Sequence, residues 1–150
     1  MGDGELYSVI RYIRPVYLVL AQAVEAELRR TKITIGMRGL MERLHDEGPQ
    51  TVPALARSFQ LERQSVQKIA DQLLENGLIE RIHNPAHARS LLLKLTKQGE
   101  SAFTKIRTRE QENLKKVGRT LSKSDIQATT RVLNHLYESF SDPKKWRSDS

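Results

Sequence analysis

At Gly77 the hydrophobic repeat of the chain changes within one residue, and this switch restricts the fold more than any other feature. Before it, Val66, Ile69, Ala70, Leu73 and Leu74 recur at three- and four-residue spacing, the repeat of a buried helix stripe. After it, Ile79-Glu80-Arg81-Ile82 and Leu91-Leu92-Leu93-Lys94-Leu95 read as two short strands. Gly77 stands where a helix ends in a left-handed residue, with Leu78 placed to close back on the helix end. Between the strands, residues 83–90 (HNPAHARS) have the turn chemistry of a hairpin tip. Upstream, Thr51 caps a short segment with Pro53 in its first turn, and Ala54, Leu55, Ala56 and Phe59 give it a small apolar face. A break near Gln60-Leu61 precedes a helix from about Glu62 to Asn76. Two helices of roughly 8 and 15 residues joined by a tight turn match a helix-turn-helix unit. The hairpin that follows them is a wing.

Flanking segments are helical. From Glu5 to Arg30 an apolar stripe runs through Leu6, Val9, Ile10, Ile13, Val16, Tyr17, Leu20 and Val24, and Pro15 predicts a kink or a fresh helix start within it. Thr34 caps a second helix with Met37, Leu40, Met41 and Leu44 inward and Gly48-Pro49 as its stop. Thr96 caps a long polar helix ending at Gly118, with Phe103, Ile106, Leu114 and Val117 on its apolar side. Ser122 and Asp125 open a final helix that buries Ile126, Thr129, Leu133, Leu136, Tyr137 and Phe140. The expectation is a mainly α chain of about six helices with a two- to three-stranded sheet, folded as one domain over 1–150. A winged helix-turn-helix at 35–95 lies between helical parts at 5–32 and 97–140, and 141–150 form a frayed polar tail.

Composition narrows the chemistry. The absence of cysteine excludes disulfides, thiolate zinc sites and iron–sulfur clusters. No apolar run is long enough to span a bilayer, and the opening MGDGELYSVIRY lacks the basic start, apolar stretch and cleavage site of a secretory signal, so the chain reads as soluble and intracellular. Formal net charge is +7, and residues 96–120 hold the largest share, seven basic against three acidic side chains. A basic balance of that size suits a polyanionic partner without demanding one. No phosphate-binding loop, Ser/His/Asp set or isolated carboxylate pair is present, so neither an enzyme nor a cofactor is expected. His83 and His87 are four apart, but in a hairpin that spacing does not put two side chains on one side, so no metal site is read there.

A helix fits the major groove of B-DNA and offers its first turns to base edges. The polar face at the start of the 62–76 helix carries Arg63, Gln64, Ser65, Gln67 and Lys68: arginine and lysine donate to guanine, and glutamine can pair with adenine. Arg89 at the hairpin tip has the length and charge to enter a narrow minor groove. Arg57 and Lys94 are candidate phosphate contacts, whereas most charges of 96–120 read as a solvated face.

The chain resembles the MarR family of bacterial winged helix-turn-helix transcriptional regulators. Carrying the resemblance are Leu55-Ala56, the run from Ser65-Val66-Gln67-Lys68 through Leu73-Leu74-Glu75-Asn76-Gly77-Leu78-Ile79-Glu80-Arg81, then Asn84-Pro85, Arg89, and Leu93-Lys94-Leu95-Thr96-Lys97-Gln98-Gly99. It covers about residues 5–140. The resemblance implies a cytoplasmic homodimer intertwined through its first and last two helices, associated with the nucleoid when bound to DNA. It also implies a pseudo-palindromic operator on double-stranded DNA, and repression relieved by a small, often aromatic, effector. The wing departs from the family pattern: His87 stands where an acidic residue usually orients the arginine, and Ala88 where a basic one is common. His87 is therefore read as a phosphate contact.

In such dimers an effector pocket lies between the dimerisation helices and the winged domain, which directs attention to Tyr12, Tyr17, Met37, Met41 and His45. Plain core packing is the simpler reading of these residues, because Met and aromatic stripes usually form core. The rival to a DNA-binding regulator is a winged-helix module that docks a protein through the same face. The basic recognition face speaks against it.

Overall fold

Local sequence signals set the boundaries of nearly every element in the computed structural model, which describes residues 3–146. Helices α1 (Asp3–Leu28), α2 (Ile35–Glu47), α3 (Val52–Phe59) and α4 (Arg63–Glu75) precede strands β1 (Ile79–Ile82) and β2 (Leu92–Leu95). Helices α5 (Lys97–Gly118), α6 (Lys123–Ser141) and the single turn α7 (Pro143–Trp146) follow. Thr34 Oγ1 accepts from the Met37 N–H at 3.2 Å to start α2, and Thr51 Oγ1 accepts from the Ala54 N–H at 3.2 Å to start α3. Gln60 takes a left-handed conformation (φ 53°) that ends α3 and turns the chain into α4. At the far end of α4, Gly77 (φ 70°) makes the left-handed turn without a Cβ penalty, and the Leu78 N–H closes on Leu73 O at 2.9 Å. Thr51→Ala is expected to cost about 1 kcal/mol, read as a lower urea midpoint at unchanged m-value, because it leaves the Ala54 N–H without its acceptor.

Strands β1 and β2 pair antiparallel with Ile79 opposite Leu95 and Arg81 opposite Leu93. Gln50 adds a rudimentary third strand: its N–H donates to Leu93 O at 3.1 Å and its carbonyl accepts from the Leu93 N–H at 2.7 Å. This bridge ties the wing to the segment entering α3. The winged helix-turn-helix architecture is therefore present, with seven helices among the described residues where about six were expected.

Two compact units divide the chain, Met1–Arg107 and Thr108–Ser150. In the first, Met37, Leu40 and Met41 of α2, Leu55 of α3, Val66, Ala70 and Leu73 of α4, Leu93 and Leu95 of β2 and Phe103 of α5 form one buried cluster. Phe103 and Leu55 are fully enclosed. Most of α1 contributes little to this core: Tyr12, Ile13, Val16, Tyr17, Val19 and Leu20 are all exposed. In the second unit Leu136 is buried, while Ile126, Leu133, Tyr137 and Phe140 are exposed. That corrects the expectation of an inward apolar side for α6: the helical period is present, but of the six residues expected inward, Thr129 among them, only Leu136 is buried.

Pro15 does not restart the first helix, which continues through it as one 26-residue element. Proline removes the bond its own nitrogen would give to the Arg11 carbonyl. The cleft lined by Ser8, Arg11, Tyr12 and Pro15 is open to water, which can take up that carbonyl. The tail also differs from expectation: α6 runs to Ser141, and residues 143–146 form a turn in which Trp146 packs on Phe140 with ring centroids 5.5 Å apart. The rest of the expected tail, 147–150, lies outside the described residues, as do the first two residues of the opening segment. No helix among the described residues is long and apolar enough to cross a membrane.

Candidate nucleic-acid interface

Helix α4 turns Val66, Ala70 and Leu73 into the core, so the opposite side carries its polar residues outward. Arg63, Gln64, Ser65 and Lys68 are exposed, and their side chains make no hydrogen bond or ion pair to other described residues. Arg57, in the last turn of α3, is exposed beside them in sequence order and likewise unpaired among the described residues. Arg57, Arg63, Gln64 and Lys68, without partners among the described residues, make a surface that can donate to an external acceptor without first breaking an internal bond.

Gln67 is different. It is half-buried, and its Nε2 donates to Asp71 Oδ1 at 2.8 Å, one turn along α4. Arg81 of β1 reaches the same oxygen, with Nη2 at 3.8 Å. Neither Asp71 nor Arg81 is among the DNA contacts expected from the sequence. The i, i+4 spacing of Gln67 and Asp71 was available as a signal; the approach of Arg81 depends on the tertiary placement of the wing.

The wing tip is two successive tight turns. The Ala86 N–H donates to Asn84 Oδ1 at 3.1 Å, and the His87 N–H donates to the Asn84 carbonyl at 3.2 Å. The Ser90 N–H then donates to the His87 carbonyl at 3.2 Å. His87 and Arg89 are both exposed, with side chains that bond to no other described residue. A cleft of about 260 Å³ separates wing and helices, with Arg81 and Arg89 on one side, Gln67 on another and Val52 and Pro53 at the start of α3. Residues of α4 and of the wing thus meet at one cleft through Gln67 and Arg89.

The five effector candidates lie in different surroundings among the described residues. Met37 and Met41 belong to the buried core. His45 Nδ1 lies 2.7 Å from Glu100 Oε2, and its ring packs at a tilt against Phe103 with centroids 5.0 Å apart, which joins α2 to the start of α5. Nearby, the Arg107 guanidinium donates to Asp46 Oδ1 at 2.8 Å, and this bond with the Asp46 charge holds Arg107 above its ordinary pKa. Tyr12 lines the open cleft beside Pro15, on a different stretch of α1. Tyr17 alone edges an apolar groove of about 230 Å³, whose walls include Gly36 and Gly39 of α2, Phe59 of α3 and Ile69 of α4.

Residues 38–91 match the profile of the MarR family. A crystal structure described as the MarR family transcription regulator SP03579 is 33% identical, with a TM-score of 0.84 over 96% of this chain and 95% of that one. FabT of Streptococcus pneumoniae, solved in complex with DNA, has the same fold at 18% identity, with a TM-score of 0.74 over 88% of this chain and 94% of that one. An uncharacterized protein of Mycobacterium tuberculosis is 35% identical over 86 residues, 57% of this chain; the match spans 60% of that relative's length.

Proposed function

The chain belongs to the MarR family of transcription regulators, and from that premise we propose that it is a homodimeric, sequence-specific DNA-binding repressor of the cytoplasm. Each protomer sets Arg63, Gln64, Gln67 and Lys68 in a major groove and Arg89 in the adjacent minor groove, with Arg57 and His87 on phosphate and Ser65 at the groove edge. The observation that carries the reading is the outward row Arg63, Gln64 and Lys68 on α4, exposed and unpaired among the described residues, on the winged unit that also presents Arg89. FabT, of the same fold, was solved with DNA. The exposed apolar residues of α1 and of α6 supply surface for a second copy. Two-fold symmetry then spaces the recognition helices roughly 34 Å apart, one turn of DNA.

Effector control, on this reading, uses the groove edged by Tyr17, whose lining is mainly apolar and suits a small aromatic compound. An effector acts there only if it binds one arrangement of the dimer better than the DNA-ready one.

Fluorescence anisotropy with a duplex from the chain's own upstream intergenic DNA, against a random duplex, tests the proposal. With about six phosphate contacts per dimer, log affinity falls against log salt with a slope of about −5, a loss of roughly a thousandfold between 50 and 200 mM. Equal, weak binding to both duplexes with a shallow slope contradicts the reading and favours protein docking through the same face.

A further inference from the structure

Gln67 stands apart from its neighbours on α4 because an internal bond decides which way its amide faces. A carboxylate can only accept hydrogen bonds, so the group at 2.8 Å from Asp71 Oδ1 is the Gln67 NH₂ and not its carbonyl. The amide is thereby fixed about its last torsion: Oε1 faces away from Asp71, and one N–H of Nε2 is left over beside it. Gln67 is half-buried, which further limits the side chain's freedom. The same Asp71 oxygen draws Arg81 Nη2 to 3.8 Å, so the carboxylate sits between the recognition helix and the first strand of the wing.

We propose that Asp71 is a positioning residue for sequence reading: by holding the Gln67 amide it presents an acceptor followed by a donor to the groove, and so selects a base with an amino group. The proposal rests on the reading of α4 as the helix that enters the major groove. Adenine fits best there, since its N6 amino group donates to Oε1 while its N7 accepts the remaining N–H. Cytosine N4 satisfies the acceptor alone. Guanine and thymine offer acceptors at the corresponding groove positions, O6 and O4, and these face Oε1 without a proton between them. Released from Asp71, the amide turns over at little cost and meets either pattern. Asp71 also places a negative charge beside Arg81, a residue of the cleft between helix and wing, and on this reading a phosphate backbone passes there. Its removal therefore has two opposite effects. Binding to any DNA tightens, and choice at one base pair of each half-site is lost.

Selection of bound duplexes from a randomised library reads both. Wild type is expected to enrich adenine or cytosine at one position per half-site by about tenfold, and Gln67→Ala to lose that preference. Asp71→Ala is expected to lose it at the same position alone and to bind a scrambled duplex about threefold tighter, from the removed charge. Asp71→Glu, which keeps an acceptor-only group, restores the preference. A merely structural role for Asp71 would lower specific and non-specific binding together and at all positions. Should Asp71→Ala fold poorly, the isosteric Asp71→Asn is read in its place; it can turn either end of its own amide to Gln67, so the preference falls with it too. A wild type that selects a site while Asp71→Ala keeps the full preference overturns the role given to Asp71 and leaves the regulator reading intact. A wild type that selects no sequence overturns the groove reading of α4, and this proposal with it.

Discussion

Gly99→Ala is expected to destabilise the chain by about 3 kcal/mol, which for 150 residues lowers the thermal midpoint by roughly 10 °C. A Cβ built on Gly99 would stand 1.9 Å from the Leu78 carbonyl oxygen and 2.9 Å from its carbon. Both are backbone atoms, so no rotamer change relieves the overlap. The carbonyl is also committed: it accepts from the Thr96 N–H at 3.1 Å. Thr96 Oγ1 in turn donates to the Gly77 carbonyl at 2.7 Å and accepts from the Gly99 N–H at 3.0 Å. Pushing Leu78 away from Gly99 strains every bond in that set. It also shifts the turn through which α4 passes into the wing, so DNA affinity should fall with stability. Gly118→Ala is the control, because nothing lies within 4 Å of the added carbon there; its midpoint should stay within a degree or two of wild type. Equal midpoints for the two variants would show that the Leu78–Gly99 approach is not a tight one.

The second large effect is on DNA binding. Arg63→Ala/Arg89→Ala is expected to weaken binding to the preferred duplex at least about a hundredfold, since each arginine supplies a charged donor and truncation of one good base contact costs about 1–3 kcal/mol. Stability should not change, because both side chains are exposed and have no partner among the described residues. The salt slope should become shallower by one or two units as cationic contacts are removed from both protomers. Loss of affinity with an unchanged unfolding curve separates this variant from Gly99→Ala, where both move. Unchanged affinity would remove Arg63 and Arg89 from the interface.

The parts of the fold legible in the sequence were those written in neighbouring residues. Thr34, Thr51 and Ser122 each sit at a cap and make the cap bond, and the change of period at Gly77 located both α4 and β1. Strand β2 begins one residue later than its apolar run, at Leu92, because Leu91 has no partner across the hairpin once Ile82 is matched to Leu92. Of the two outcomes expected at Pro15, a fresh helix start does not occur, because an open face lets water answer the unpaired carbonyl and the helix continues through it. Met37 and Met41 were named for an effector site only through the family resemblance, with plain core packing as the simpler reading, and both lie in the buried core. The same holds for Arg81: strand alternation says which residues share its face, but its approach to Asp71 depends on where the wing folds against α4. Exposure on α1 and α6 was likewise hidden, since helical spacing marks an apolar stripe without saying which molecule covers it.

Hydroxyl-radical footprinting of the upstream intergenic fragment tests the central claim most directly. A homodimer that reads DNA with two α4 helices predicts protection in two windows centred roughly one helical turn, about 10 base pairs, apart and related by a dyad, with flanking minor-groove protection from Arg89 that disappears in Arg89→Ala. Uniform or absent protection, at protein concentrations that protect no window before the whole fragment is coated, would contradict it.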